Sequence, residues 1–444
     1  MDDEHYHSIR FDAGACHGCM ACMRVCPTQA IRVRRGLAAM IEDRCIDCGE
    51  CIKACPKGAV VPLTASPAGL GRFGCTIAVP SPALYTQFNG EVTPGVILQA
   101  LRASGFDAAA TLSWAGDAVT CAIELFLADY RGPVPLISSF CPSVVRLVQI
   151  KYPELVDQLL PILAPREVAA REAKLAAAAE SGLPPDRVHA VYITPCPAKM
   201  VSIVDHPGMD ASYIDSAVGI NDLFPLLAPV IREVQTGGAD VPEPETSAGL
   251  AWAFSVNLPS TLAEEHTLSV WGLPNVLRTL DDIDKGKLQR YTFVECHACF
   301  DGCVSGALTV ENPYVARARA LHLQHALPNG DAAGLEALRA RCERGDFRTT
   351  VPFSVRPPRP LGRDIVSAIS RMQERDRVAS RLPGIDCGAC GAPTCLSFAE
   401  DVVLGSAEEA ECIFVREAQL RERIAELTHG AGLAAQAGAA EERA

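Results

Sequence analysis

Two segments of the chain repeat one arrangement of four cysteines, 29 residues apart. The first runs from Cys16 to Pro27 and the second from Cys45 to Pro56, and both read C-x2-C-x2-C-x3-C-P. Small secreted domains use many cysteines for disulfides. Here, 20 cysteines are spread over 444 residues and mostly grouped at short spacings, which indicates metal binding in a reducing compartment. Zinc remains an alternative, although zinc sites usually take two close cysteine pairs.

Runs of this kind hold two [4Fe–4S] clusters, and the fourth cysteine of each run ligates the other cluster. We therefore assign the ligands as two sets of four. The first set is Cys16, Cys19, Cys22 and Cys55, and the second is Cys45, Cys48, Cys51 and Cys26. The short apolar segments 31–33 and 59–61 are predicted to pair as strands. Residues 8–62 resemble bacterial dicluster ferredoxins, which implies an electron-transfer domain of ferredoxin-like α+β fold over residues 1–64.

Further along the chain, apolar runs alternate with helical patterns, as in α/β folds with buried parallel strands. Three of these runs lead into cysteine motifs: residues 134–140 precede Cys141, residues 189–194 precede the motif that contains Cys196, and residues 291–294 precede the motif that contains Cys299. Ligands of open parallel sheets bind at the carboxyl ends of the strands. The sequence therefore predicts that these cysteines converge on one site.

Two local patterns refine that prediction. Pro142 suits the first position of a helix that ends before Pro153, so the positive end of its dipole would face the Cys141 thiolate. Cys299 and Cys303 are four residues apart and would share one face of a helix.

Cys141-Pro142, Pro195-Cys196-x-x-Lys199 and Glu295-x3-Cys299-x3-Cys303 resemble the three signature motifs of the [FeFe]-hydrogenase catalytic domain. The likeness covers residues 72–325 and implies an α/β domain of two lobes with helix-flanked parallel sheets, over residues 72–330. It also implies an H-cluster, in which a [4Fe–4S] cubane is joined through one thiolate to a two-iron unit carrying CO and cyanide. The implied ligands are Cys141, Cys196, Cys299 and Cys303.

In this resemblance Cys303 bridges the cubane and the two-iron unit, and Lys199 donates a charge-assisted hydrogen bond to a cyanide. Several alternatives stay open at this point. The four thiols could be inert and buried, or could hold a plain [4Fe–4S] cluster, and Lys199 could be an ordinary solvated lysine.

Three positions depart from the catalytic pattern. Phe140 stands where a proton-relay cysteine is usual, Ser202 where a relay glutamate is usual, and His297 where a methionine is usual. Proton transfer needs groups within hydrogen-bond reach and of suitable pKa, so these losses predict slow turnover. His297 and Cys296 could supply a substitute route. Alternatively, His297 donates to a cubane sulfur and tunes its potential.

Residues 138–145 and 302–313 resemble the sensory branch of the [FeFe]-hydrogenases. This likeness implies slow, reversible oxidation of dihydrogen and reduction of protons, used for hydrogen or redox sensing. Its implied partners are a redox protein (a ferredoxin, or a signalling kinase or phosphatase) and the enzymes that build the H-cluster. Two alternatives are a ferredoxin-linked catalytic hydrogenase with a non-standard proton path, and a non-catalytic iron–sulfur protein of the same fold.

A third cysteine group follows a helical linker region over residues 331–380. Its spacing is C-x2-C-x4-C-x16-C, and its members are Cys387, Cys390, Cys395 and Cys412. A helix over 396–404 and a turn at Gly405 would return Cys412 to the others. The group predicts a small helical domain over 381–415 with one [4Fe–4S] cluster, again with zinc as the alternative. It resembles the single-cluster domain of electron-transfer subunits of anaerobic enzymes.

The remaining chain, residues 416–444, is predicted to form a terminal helix and then a disordered tail from residue 429. Leu420, Ile424 and Leu427 form an apolar stripe on this helix, which would either dimerise or pack on its own domain. Some relatives continue into a PAS sensory domain, and its absence from this sequence implies a separate output protein.

Composition excludes several classes of function. The net charge of −13 argues against binding to nucleic acid, since neutralising phosphates needs clustered Lys and Arg. No run of about 20 apolar residues predicts a membrane span, and the acidic start has no signal-peptide pattern, so we expect a cytoplasmic protein. Cys75 and Cys121 are predicted core residues, and Cys342 is predicted to be exposed.

Overall fold

The computed structural model describes residues 6–67, 74–237, 241–254, 266–328 and 335–441. They form two compact units. The large unit contains the residues up to 10, residues 45–53 and residues 60–357, and the small unit contains residues 11–44, 54–59 and 358 onward.

Eleven strands are formed by the described residues. In chain order they are β1 (Ile9–Phe11), β2 (Ile31–Arg34), β3 (Leu37–Met40), β4 (Val60–Pro62), β5 (Cys75–Pro80), β6 (Ala108–Ala109), β7 (Leu136–Ile137), β8 (Val188–Thr194), β9 (Ser216–Gly219), β10 (Thr267–Trp271) and β11 (Phe293–His297).

Fifteen α-helices accompany them among the described residues. They are α1 (Ala21–Val25), α2 (Glu50–Ala54), α3 (Pro94–Ala103), α4 (Ser113–Asp129), α5 (Pro142–Lys151), α6 (Pro165–Ser181), α7 (Pro197–Asp205), α8 (Ile220–Thr236), α9 (Ser247–Ala251), α10 (Leu273–Asp284), α11 (Pro313–Ala326), α12 (Leu335–Glu343), α13 (Ile365–Arg381), α14 (Cys395–Val403) and α15 (Ile413–Glu441).

The large unit is built on two parallel sheets, as the sequence predicts. One has the order β6-β5-β8-β9 and the other the order β10-β11-β7, and every pairing in them is parallel. Strand β5 shows why its sequence is apolar throughout. Ile77 and Val79 pack with α4 and α6, while Ala78 packs with α3 and α8, because alternate side chains of a strand point to opposite faces.

The second sheet has its own core. Val294 of β11 and Ile137 of β7 pack against Val144 and Leu147 of α5 and Leu280 of α10. Each sheet is therefore covered by helices, and the predicted α/β class is confirmed.

The two cysteine repeats differ in sequence but share their backbone conformation at three positions. Met20 and Gly49 have positive φ, as do Gln29 and Gly58. Gly18 and Asp47 form the third such pair. The left-handed conformation turns the chain around a cluster site, and glycine adopts it without steric cost.

The small unit also joins the first cysteine repeat to the C-terminal cysteine domain. Asp401 of α14 accepts from Arg32 Nε at 2.6 Å and from Arg34 Nη2 at 2.7 Å. The backbone N–H of Val33 donates to the carbonyl of Gly391 at 2.9 Å. More than 300 residues of sequence separate the two segments, so no local sequence pattern could predict this contact.

Several sequence predictions need correction. Segments 31–33 and 59–61 both form strands, but β2 pairs with β3 and β4 pairs with β1. Only Arg35 and Gly36 separate β2 from β3, and both have positive φ, so these two strands form a local hairpin. The expected disordered tail instead continues α15 as far as Glu441, and residues 442–444 lie outside the described residues.

The predicted domain limits at 64, 330 and 381 do not coincide with the limits of the compact units. The loop of the second repeat belongs to the large unit because its backbone approaches α7 closely. At Gly49 a Cβ would collide with Ala307 and press on Pro197. The boundary region near residue 70 lies partly outside the described residues.

Cys75 is a core residue, as predicted, and Cys121 is partly buried against the same core. Cys342, which was expected to be exposed, is 6% exposed. It lies on the inner face of α12, and its Sγ donates to the carbonyl of Ala118 on α4 at 3.6 Å. The charged neighbours that suggested exposure occupy the outer face of the same helix.

Candidate metal centres

Four cysteines of the large unit line one cavity of about 770 Å³, measured with its open mouth. Cys141 caps α5, Cys196 caps α7, and Cys299 and Cys303 follow β11. The predicted convergence at the carboxyl ends of parallel strands is therefore observed. Cys299 is not helical, however. Cys303 lies in a short 3-10 helix over Gly302–Ser305, because the left-handed Asp301 separates the two cysteines.

Lys199 lies on α7, less than one turn after Cys196, and is only 8% exposed. Its Nζ donates to Cys303 Sγ at 3.1 Å and faces the hydroxyl of Tyr192 at 3.5 Å. Burial lowers the pKa of Lys199, but the electrostatic influence of Cys303, and then of Tyr192, outweighs this effect, so the pKa lies well above its ordinary value. The solvated-lysine alternative is therefore excluded by position.

The same positive charge distinguishes Cys303 from the other three thiols. Burial raises the pKa of Cys141 and Cys299, and raises that of Cys196 to about 11. Burial also acts on Cys303, but Lys199 and His297 lower its pKa below the ordinary value. Cys303 is thus the thiol most readily deprotonated, and only a thiolate binds metal well.

His297 lines the cavity and is tied to a buried acid. Its Nε2 lies 2.5 Å from Glu295 Oε1, and Ser269 Oγ donates to Glu295 Oε2 at 2.9 Å. Burial lowers the pKa of His297, but the Glu295 carboxylate more than offsets this and raises it. Since Ser269 is exposed, these three side chains form a hydrogen-bonded series between the cavity and the surface.

Cys296 lies behind the cavity wall, contrary to the prediction that pairs it with His297. It is 1% exposed and packs with Val144 and Val294. Burial raises the pKa of its thiol far above the ordinary value. The alternation of β11 explains this placement, because His297 and Glu295 share one face of the strand and Cys296 points to the other.

Phe140 and Ser202, the two positions that depart most from the catalytic pattern, are both close to this cavity. Phe140 forms part of its wall and packs edge-on against Trp252, with 5.2 Å between ring centroids. Ser202 is buried, and its Oγ donates to the carbonyl of Lys199 at 2.8 Å. Neither side chain offers an acid to the cavity.

The sequence predictions missed Arg166, which also lines the cavity and is 7% exposed. It lies in the first turn of α6, where a cation opposes the helix dipole. A cation directly after the proline that begins a helix is unfavourable unless the residue has a function, and this was the signal available in the sequence.

The second cysteine repeat reaches the same cavity within the large unit. Cys48 lines it, and Lys53 Nζ donates to the carbonyl of Ser305 at 3.3 Å. Burial lowers the pKa of Lys53, but the charge of Cys299 and Glu50 raises it overall. A predicted ligand of the second cluster thus lies beside the predicted ligands of the central site.

The loop that carries Cys45 and Cys48 is held by a buried ionic network. Asp47 accepts from Arg146 Nη1 at 2.7 Å and lies 2.7 Å from His7 Nδ1. Because Arg146 belongs to α5, whose first residue follows Cys141, this network connects the loop to the helix that carries a predicted ligand of the central site.

In the small unit, the four cysteines predicted for the first cluster lie near one another. Burial raises the pKa of Cys22 to about 11, and the charges of Cys19, Cys55 and Cys16 add to that rise. The fourth cysteines of the two repeats accept equivalent hydrogen bonds. Cys26 Sγ accepts from the N–H of Ala30 and Cys55 Sγ from that of Ala59, both at 3.2 Å.

The third group also comes together in the small unit. Cys387, Cys390, Cys395 and Cys412 line one small cavity. Helix α14 and the left-handed Gly405 return Cys412 to the other three, as predicted. Asp386 Oδ1 accepts from the N–H of Cys395 at 2.6 Å and holds the start of α14 in place.

The central cavity fits the H-cluster that the sequence resemblance implies. It offers four thiols, one of them with a lowered pKa, and a buried ammonium group 3.1 Å from that thiol. Its remaining wall includes apolar rings from Phe140 and Trp252, which would keep water from a reactive centre.

Comparison with protein families gives three matches. Residues 75–249 match the family described as iron only hydrogenase large subunit, C-terminal domain. Residues 8–56 match a 4Fe-4S dicluster domain, and residues 382–414 match a family of Fe-S cluster domains. The first match contains Cys141 and Cys196 and ends before Cys299. The other two contain the two cysteine repeats and the C-terminal cysteine group.

Among similar proteins, the periplasmic [Fe] hydrogenase large subunit of Nitratidesulfovibrio vulgaris is 29% identical, over 69% of this chain and 87% of its own length. Iron hydrogenase 1 of Clostridium pasteurianum is 25% identical over 49% of this chain. The chain spans less than half of the length of that protein (46%) and of the NADP-reducing hydrogenase subunit HndD of Solidesulfovibrio fructosivorans (39%).

Among solved structures, the [FeFe]-hydrogenase HydA1 of Chlamydomonas reinhardtii aligns with a TM-score of 0.47 and 16% identity, over 65% of this chain and 95% of that one. Within the described part of the chain, no helix has both the length and the apolar character that crossing a membrane requires.

Proposed function

Because the chain is an [FeFe]-hydrogenase-like large subunit with iron–sulfur domains at both ends, we propose that it oxidises dihydrogen and reduces protons slowly at an H-cluster and serves in hydrogen or redox sensing. The observation that carries this proposal is the arrangement of Cys141, Cys196, Cys299 and Cys303 around one cavity that also contains a buried Lys199.

The H-cluster, when bound, supplies the interconversion of dihydrogen with two protons and two electrons. The thiolates of Cys141, Cys196, Cys299 and Cys303 would hold it, and Cys303 would be the one of the four that also serves the two-iron unit. The Lys199 ammonium orients the anionic part of the cofactor through a charge-assisted hydrogen bond. Trp252 and Phe140 exclude water from the cavity.

Cys48 lines the same cavity as the central ligands, so a cluster held by the second repeat would exchange electrons with the central site. The first cysteine repeat and the C-terminal group would hold two further clusters, and a redox partner protein would exchange electrons with this protein. That partner is a ferredoxin or a signalling kinase or phosphatase, and dedicated maturation enzymes supply the two-iron unit. We place the protein in the cytoplasm, whereas the relative from Nitratidesulfovibrio vulgaris is named as periplasmic.

Slow turnover follows from the cavity wall. Phe140 cannot carry a proton, and Ser202 has no acidic group. His297 is the residue left to exchange protons with the cavity, through Glu295 and the exposed Ser269. A slow enzyme that remains reversible suits a sensor, whose task is to report a redox state.

Infrared spectroscopy tests the proposal. The protein is loaded with its [4Fe–4S] clusters and then with a synthetic two-iron complex that carries CO and cyanide, and spectra are recorded under dihydrogen and under argon. Sharp CO and cyanide bands that shift between the two gases support the proposal. Absence of such bands at full cubane content contradicts it.

Two cysteine variants serve as a matched pair in this experiment. Cys303→Ser should lose the bands, because the bridging thiolate is removed. Cys296→Ser removes a thiol that lies outside the cavity wall and should keep them. Retention of the bands in Cys303→Ser, at the same cubane content as Cys296→Ser, would contradict the role assigned to Cys303.

One observation favours a second function. The bulky Phe140 occupies the cavity wall where the catalytic pattern has a cysteine. A protein whose cavity accepts only the [4Fe–4S] cubane would be a non-catalytic electron-transfer or scaffold protein of the same fold. Full cubane content with no uptake of the two-iron complex would favour this second function.

A further inference from the structure

Arg166 is a buried cation whose hydrogen-bonding capacity is largely unused. It is 7% exposed, and its Nη1 donates to the carbonyl of Phe140 at 3.3 Å while its Nη2 donates to Ser202 Oγ at 3.2 Å. Both bonds are at the long end of the usual range. Its Nε is buried and has no hydrogen-bond partner in the described part of the chain, although a guanidinium can donate five hydrogen bonds.

The nearest carboxylate does not neutralise this charge fully. Glu167 Oε1 lies 3.7 Å from Arg166 Nε, beyond hydrogen-bond distance. Glu167 Oε2 is already engaged by Ser212 Oγ at 2.9 Å and by the N–H of Tyr213 at 3.0 Å. An incompletely paired buried charge is costly, so a further partner in the cavity would stabilise this arginine.

The surroundings of Arg166 all favour a negative partner. It lines the cavity together with Lys199, so two cations face the same space. It lies in the first turn of α6, a helix of 17 residues whose N-terminus favours anions.

We propose that Arg166 is a second anion-binding residue of this cavity, which with Lys199 draws in and orients a small anionic ligand or the anionic part of a cofactor. The inference rests on the proposed function for the identity of the cofactor, but not for the anion site itself. Arg166 donates to Ser202, which occupies the position of an acidic residue in the catalytic pattern. An anion beside these residues therefore meets a hydrogen-bond donor and not a carboxylate.

The test uses the full chain carrying only its [4Fe–4S] clusters. Two probes are added separately: the synthetic dianionic two-iron complex with CO and cyanide, and thiocyanate, a small anion with its own infrared band. Uptake of the complex is followed by its infrared bands at low and high salt. Thiocyanate binding is followed by the saturable shift of its C–N stretching band.

We expect Arg166→Gln to slow uptake of the two-iron complex, and to weaken thiocyanate binding, by about tenfold or more, since a charge-assisted hydrogen bond contributes about 1.5–3 kcal/mol. The cyanide bands of the bound complex should also move, because their nitrogen loses a donor. Arg166→Lys keeps the charge and should recover part of the uptake with a different cyanide band position.

Arg171→Gln is the matched control, because Arg171 is on the same helix but does not line the cavity. It should behave as the native protein does. Cubane content, measured before the probes are added, shows whether each variant is folded. Native rates, thiocyanate affinity and band positions in Arg166→Gln would overturn the proposal.

If Arg166→Gln does not retain its cubane, Arg166→Lys decides the matter, and unchanged cyanide and thiocyanate bands in that variant would overturn the proposal. If the native protein binds thiocyanate through Arg166 but takes up no two-iron complex, the anion site stands and the proposed hydrogenase function fails. If it takes up the complex and Arg166→Gln does so equally well, the proposed function stands and this inference fails.

Discussion

At the scale of single residues, the central cavity combines buried positive charge with a wall residue, Phe140, that cannot carry a proton. Lys199 and Arg166 supply positive charge, Cys303 supplies the most acidic thiol, and Phe140 supplies only an apolar ring. This combination suits retention of an anionic metal cofactor better than fast proton transfer.

Replacing Lys199 tests its role in retention. Lys199→Met removes the donor 3.1 Å from Cys303, and a hydrogen bond to a charged group contributes about 1.5–3 kcal/mol. We expect the variant to hold about tenfold to a hundredfold less of the two-iron complex at equilibrium, with unchanged cubane content. Iron analysis and CO band intensity measure this, and full retention would argue against the role of Lys199.

Restoring acidic groups at the cavity tests the cause of slow turnover. The double variant Phe140→Cys, Ser202→Glu should raise dihydrogen turnover of the loaded protein by about 10²-fold or more, the usual contribution of general acid–base catalysis. It should also lower stability by about 3 kcal/mol, because a buried aromatic ring is lost. Turnover assays and thermal unfolding measure the two effects. Unchanged turnover would mean that proton transfer does not limit the rate.

At the scale of elements, buried acids join segments that are distant in sequence. Glu245 accepts from Ser113 Oγ and from the N–H of Thr246 at 3.4 Å, and so connects the start of α4 to the start of α9. Asp401 of α14 connects to β2 through Arg32 and to the end of β2 through Arg34.

Glu245 predicts a pH dependence of stability. Burial raises its pKa from 4.5 to about 7. The folded protein therefore binds this proton more tightly than the unfolded chain, and the resulting stabilisation is fully present below about pH 4.5 and lost as the pH rises to about 7. At about 1.36 kcal/mol per pKa unit, the loss is about 3 kcal/mol.

Glu245→Gln removes this titration. The unfolding temperature of the variant should therefore rise relative to that of the native protein as the pH increases from 5 to 8. The exposed Glu91→Gln serves as the control and should show no such trend. Thermal unfolding at several pH values measures both variants. A constant difference between Glu245→Gln and native protein across this range would contradict the prediction.

Asp401→Asn should loosen the junction of the first cysteine repeat with the C-terminal domain inside the small unit. Arg32 is 6% exposed, and removing one partner of a buried ion pair costs about 3–5 kcal/mol. Amide hydrogen exchange in β2 and α14 should therefore speed up by about a hundredfold or more. The exposed pair of Asp376 and Arg375 provides the control, and Asp376→Asn should change exchange little.

At the scale of the whole molecule, the cysteines fall into three groups along the chain, and each group overlaps a match to an iron only hydrogenase or iron–sulfur family. The large unit contains the central cavity together with the loop of the second repeat. The small unit contains the first repeat and the C-terminal group.

The terminal helix predicts self-association. Leu420, Ile424 and Leu427 of α15 are 56%, 59% and 65% exposed, so they do not pack on the domain that carries them. We expect a homodimer through this stripe, with a mass of about twice 47.2 kDa. Light scattering should show a monomer for Leu420→Glu combined with Ile424→Glu, and a dimer for Gln419→Glu on another face. A monomeric native protein would refute the prediction.

The sequence by itself determined the features that depend on spacing. Four cysteines within twelve residues, or a cysteine directly after a buried strand, constrain local geometry so strongly that the cluster motifs, the parallel strands and the convergence of Cys141, Cys196, Cys299 and Cys303 could all be predicted. The same applies to Lys199, whose fixed distance from Cys196 along α7 brings it into the cavity.

Only the tertiary structure decided the features that depend on distant partners. Arg166 reaches the cavity because α6 packs on the sheet that carries Cys196, and Cys296 is excluded from it because β11 turns that side chain into the core. The burial of Cys342 and the contact of Asp401 with Arg32 likewise could not be predicted from the sequence. Each depends on which surfaces meet after the chain has folded, and residue type and spacing do not encode that choice locally.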